Sequence, residues 1–156
     1  TLNPIIPQMS MIEDLTDELM DAATVVYAEN QKGEKTYYKT ENGKTKLPYV
    51  LLVDGGSASA AEILSGAIKD SGTGTLLGTQ TYGKGSMQTI RQLSDGSGLS
   101  VTYRYYCPPF SDNYDGVGVT PDVVVEPAGA MLEKNIYKIT DEEDNQLQAA
   151  VAELNK

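Results

Sequence analysis

The chain has no histidine among its 156 residues, and that absence removes a large part of hydrolytic chemistry. A Ser-His-Asp triad, a Cys-His dyad and a His-ligated zinc centre cannot be completed within it, so proton transfer falls to Lys, Asp, Glu or Tyr. The one cysteine, Cys107, allows no intrachain disulfide. With no base beside it, it reads as a small half-buried residue at the end of a strand-like run. Basic residues are few, 12 Lys and Arg against 22 Asp and Glu, giving a formal charge of −10 with no basic cluster. Nucleic acid and anionic membrane are therefore not expected as partners. No apolar run reaches the roughly 18 residues of a membrane span, and the start TLNPIIPQMS does not read as a signal peptide. No metal or cofactor is expected.

What is present suffices for a core: 40% of the residues are hydrophobic, and the length fits one layered domain. SMIEDLTDELMDAA reads as an amphipathic helix, with a Ser10–Glu13 capping box and Ile12, Leu15 and Leu19 on the face that packs against a sheet. TVVYAE, the turn NQKG and EKTYYKT read as a hairpin. YVLLVD, apolar at five of six positions, predicts a strand buried on both faces of a central sheet. A helix then begins near Ser57 or Ala58, packs Ala60, Ile63, Leu64, Ala67 and Ile68, and ends at Gly72. TLLG follows, then QTYGKGSMQTIRQL and LSVTYRYY as a long hairpin around Asp95-Gly96. VGVTPDVVVEP predicts a short strand, and TDEEDNQLQAAVAEL a last helix with acids in its first turn. No repeat, low-complexity tract or linker interrupts this mixed α/β layered order.

Two short stretches carry chemistry. In GSASAAE, residues 56–62, two serines sit where a buried strand gives way to a helix. Free backbone N–H groups and the helix dipole favour negative charge there, so Ser59 or Ser57 would find its alkoxide stabilised and an oxyanion donor in the N–H that follows. Serine is also a favoured N-cap, and from this segment alone two plain cap residues are the favoured reading. In TYGKGSMQ, Lys84 stands between Gly83 and Gly85, with no neighbouring side chain to shield or pair it. An amine held in a low-dielectric site favours its neutral form, and serine with neutral lysine is a nucleophile–base pair that needs no histidine. An exposed lysine in a Gly-rich turn is the alternative.

Taken together, LLVDGGSASAAEILSGAIKDSGTGTLLGTQTYGKGSMQTIRQLSDGSGLSVTYRYY and GVGVTPDVVV resemble the core of the C-terminal processing peptidases, or tail-specific proteases. The resemblance runs from about Tyr49 to Val125, with several motifs in the right order. It implies a ClpP/crotonase-like α/β core, a mixed sheet flanked by helices. It also implies that Ser59 is the nucleophile, and that Lys84, 25 residues further on, is the base. Gln88 would orient the lysine, the Ala60 N–H would donate to the oxyanion, and Ser57 becomes a turn or cap residue. On a regular strand, positions i and i+4 lie about 13 Å apart, so contact between Gln88 and Lys84 requires a bend.

Residues 1–156 thus read as a single peptidase core domain, a fragment of a larger bacterial protease working outside the cytoplasm. The N-terminal helical region and the PDZ domain that captures substrate are expected outside it. The partner implied is a protein or peptide with an apolar C-terminus; the oligomeric state is left open. The family carries a glycine pair upstream that supplies a second oxyanion donor, whereas this chain has Asn3-Pro4 and then Ile5-Ile6. The alternative on the same fold is a non-catalytic ligand-binding or regulatory module, as in retinoid-binding repeats.

Overall fold

The computed structural model describes residues 9–41 and 45–156. The Asn3–Ile6 segment, the Ser10 side chain and most of the turn ENGK lie outside the described residues. Helix α1 (Met9–Leu19) leads into strands β1 (Thr24–Asn30) and β2 (Lys35–Lys39), then β3 (Val50–Val53), α2 (Ala60–Ser71) and β4 (Thr75–Gly78). The hairpin β5 (Ser86–Gln92) and β6 (Gly98–Cys107) follows, then β7 (Val123–Val124), α3 (Ala130–Glu133), a single 3₁₀ turn and α4 (Asn145–Leu154).

The strands divide by their patterning. Alternating polar and apolar residues build an antiparallel sheet in the order β2-β1-β6-β5, while the apolar runs VLLV and TLLG pair in parallel in a second sheet, β3-β4-β7. Runs of that kind suit parallel strands covered by helices. Helix α2 packs against both β1 and β4, and so lies between the two sheets. That placement explains its composition: Ala60, Ile63, Leu64, Ala67 and Ile68 are all at most 3% exposed. Truncating one of its large apolar residues to alanine costs about 2–5 kcal/mol. The helix stops at Gly72, whose left-handed φ of 65° lets its N–H reach the Ile68 and Lys69 carbonyls.

Three expectations are corrected. Strand β3 is not central: among the described strands it borders only β4, and Val50, Leu51 and Leu52 are half-buried. The central place goes to β4, which pairs with both neighbours. Helix α1 packs principally on α2; its Ile12 and Thr16, with Met20 just past its end, are buried, whereas Leu15 is 39% exposed. Thr16 tolerates that burial because its hydroxyl donates to the Ile12 carbonyl at 2.8 Å. In α4 the acids precede the first turn; Asp144 is the N-cap, accepting from the N–H groups of Gln146 and Leu147.

Candidate active site

The chain leaves β3 at Val53 and turns through Gly55-Gly56 into α2. Ser57 holds that turn: it is buried, and its Oγ accepts from the Asp54 N–H and donates to Asp54 Oδ1, both at 3.1 Å. Ser59 is the N-cap, at φ 57° and ψ −112°. Among the described residues it alone, glycines aside, has a positive φ. Such a conformation costs about 1–3 kcal/mol and collects at functional sites. The residue sits in the tight strand-to-helix turn between β3 and α2, the setting of a nucleophile elbow. The Ser59 N–H is occupied by Glu62 Oε2 at 2.9 Å. The Ala60 N–H, next along, has no hydrogen-bond partner among the described residues.

Lys84 arrives from the other direction. Past β4 the chain runs irregularly until β5 opens at Ser86, so Lys84 sits on a turn, not on a regular strand. The glycines on either side are needed for close approach. A Cβ on Gly83, at φ +92°, would stand 2.9 Å from the backbone nitrogens of Val117 and Gly118, and one on Gly85 would stand 2.9 Å from that of Asp115. The loop of residues 113–119 thereby clamps the lysine turn. Gly116 N–H donates to the Gly83 carbonyl at 2.8 Å, Gly85 N–H to Asp115 Oδ1 at 2.9 Å, and Val119 N–H to Thr81 Oγ1 at 2.6 Å. The Lys84 ammonium itself forms no ion pair or hydrogen bond among the described residues.

One cleft of about 220 Å³ is lined by Ser59, Lys84, Ser86, Met87, Gln88, Tyr103 and Tyr106. The two half-buried side chains Ser59 and Lys84 and the exposed Gln88 thus share a surface. The β5–β6 register shifts between Met87 and Gln88, and such bulges re-aim side chains. Of the cleft's phenols, Tyr106 is pushed up to about 12, first by burial and then by Tyr38 and Tyr103. It keeps its proton at neutral pH and cannot serve as a base there. No Asp or Glu lines the cleft. Behind it, burial and then the nearby Glu62 carboxylate push the Tyr114 phenol well above the ordinary tyrosine value; its hydroxyl is the one buried side-chain polar atom among the described residues with no hydrogen-bond partner.

Sequence reasoning missed Glu62, which is fully buried. Its carboxylate accepts four hydrogen bonds: from Ser59 N–H at 2.9 Å, Lys84 N–H at 2.7 Å, Gly83 N–H at 2.6 Å and the Thr81 hydroxyl at 2.6 Å. The available signal was its place at N3, three residues after a serine N-cap, which by itself marks only an ordinary helix start.

The Peptidase family S41 profile matches residues 8–125. The chain is 40% identical over 141 residues to a carboxyl-terminal-processing protease of Synechocystis sp., covering 88% of this chain and 32% of the relative. It is 43% identical over 106 residues to the chloroplastic carboxyl-terminal-processing peptidase 2 of Arabidopsis thaliana, covering 66% of this chain and 21% of the relative. The solved photosystem II D1 C-terminal processing protease superposes with a TM-score of 0.69 at 35% identity, over 76% of this chain and 31% of the other. The chain thus spans about a third or less of the length of these relatives.

Proposed function

The chain belongs to peptidase family S41, and from that premise we propose that it carries the catalytic core of a serine-type C-terminal processing peptidase working through Ser59 and Lys84. The carrying observation is the single cleft that Ser59, Lys84 and Gln88 line together. In this reading Ser59 Oγ attacks the scissile carbonyl as its proton passes to the neutral Lys84 amine. The Ala60 N–H, unoccupied beside the occupied Ser59 N–H, donates to the developing oxyanion. Lys84 then returns the proton to the leaving amine as the C–N bond breaks, and later deprotonates the water that releases the acyl group. Gln88 orients the lysine.

The substrate is a protein chain with an apolar C-terminus, captured by a PDZ domain of the intact protein and cut outside the cytoplasm. Supporting this is the naming of the relatives for C-terminal processing. The test is treatment of the intact protein with a fluorophosphonate probe, which should label Ser59, alongside Lys84→Ala, which should abolish peptide hydrolysis while circular dichroism stays unchanged. No label on Ser59, or full activity in Lys84→Ala, would end the proposal.

A further inference from the structure

We propose that Glu62 is the positioning residue that sets the base against the nucleophile, an inference that rests on the Ser59–Lys84 reading above. One carboxylate oxygen, Oε2, accepts both the Ser59 N–H and the Lys84 N–H; the other, Oε1, accepts the Thr81 hydroxyl and the Gly83 N–H. The two segments, 22 residues apart in sequence between Glu62 and Lys84, are thereby referred to a single atom. A capping-box glutamate needs only the first of these bonds and normally keeps its carboxylate in water.

Helix capping alone does not account for the burial. A fully buried carboxylate with no ion-pair partner among the described residues is tolerated only because donors surround it. What an apolar residue cannot do is fix two backbone N–H groups at once. The bond to Ser59 N–H has a second consequence. It holds the positive-φ conformation of that residue and occupies its amide, while the Ala60 N–H, without a partner among the described residues, stays available to an oxyanion. Thr81 extends the tie, since its Oγ1 also accepts from Val119 N–H at 2.6 Å and so joins the clamp loop to the same carboxylate.

The experiment uses the intact protein and three variants. Glu62→Gln sets an NH₂ group against backbone donors, displacing one of the two segments. Misplacement of that order should lower kcat about 10²-fold with KM little changed. Thr81→Val should lose kcat in the same sense, and Thr81→Ser, which restores the hydroxyl, should recover it. A kcat in Glu62→Gln within about threefold of wild type, or a loss confined to KM, overturns the proposal. If Glu62→Gln fails to fold, the threonine pair decides, and equal activity of Thr81→Val and Thr81→Ser refutes it. Ser59 labelling of the wild type separates the two readings: a labelled wild type with an unimpaired Glu62→Gln removes only the role of Glu62, whereas an unlabelled wild type removes the serine–lysine reading and this inference with it.

Discussion

Ser59→Gly should make the protein more stable while destroying its hydrolytic activity. Ser59 pays for its position with a φ of 57°, a region that costs a side-chain-bearing residue about 1–3 kcal/mol and glycine almost nothing. Glycine loses about 0.5–1 kcal/mol of that gain to the greater freedom of its unfolded chain. The remainder, about 1 kcal/mol, corresponds to a rise in Tm of about 2–4 °C for a domain of this size. The sign is informative because an ordinary serine N-cap behaves in the opposite way, losing a few tenths of a kcal/mol on replacement by glycine. Thermal melts of the two proteins, side by side, decide the matter. A Ser59→Gly variant melting at or below wild type would show that the residue is an unstrained cap and that the elbow argument is wrong.

Gln88→Ala should lower kcat with little change in KM, because misplacing the base affects the transition state more than substrate binding; a loss in KM alone would assign Gln88 to substrate contact. Tyr114→Phe should raise stability by about 1 kcal/mol in urea denaturation, since it removes a buried hydroxyl that has no partner among the described residues. A destabilised variant would mean that the hydroxyl is satisfied. Stability should fall as pH rises above 10, where an unfolded tyrosine ionises, towards about 12, where Tyr106 does so in the fold. Between those values the native state holds a proton that the unfolded chain has released, so unfolding becomes easier. Tyr106→Phe should flatten that slope in melts across this range, and an unchanged slope would count against the buried phenol as its cause.

Much of the fold was legible because local and tertiary demands coincide. The five apolar positions of α2 and its Gly72 stop are written in the sequence, and every one of those side chains is buried. Legibility failed where a choice depended on neighbours that are remote in sequence. Leu15 and Thr16 fit a helical stripe equally well until α2 selects the narrow row that includes Thr16. The apolar content of β3 predicts burial but not which strand takes the centre. At the site, the pairing of Ser59 with Lys84 came from the resemblance to the C-terminal processing peptidases, since residue type alone left Ser57 and Ser59 both open. Glu62 could not, because three of its four donors come from residues 81–84, and nothing local distinguishes it from a surface acid. In sequence the glycines beside Lys84 mean only that no neighbouring side chain shields or pairs it, whereas their packing shows that they admit another backbone.

The clamp on the lysine turn also imposes an order in time. Its partners, the Tyr106 N–H that donates to the Gly85 carbonyl, Asp115, Gly116 and Val119, all lie downstream of the turn they hold. A chain emerging from the ribosome presents its N-terminal parts first, so the nucleophile helix and Lys84 are both synthesised before the loop that fixes their relationship. A nascent chain therefore carries serine and lysine without the geometry that relates them. On the proposed serine–lysine reading, the relation between the two residues is completed only when residue 119 has been made and folded back against Thr81.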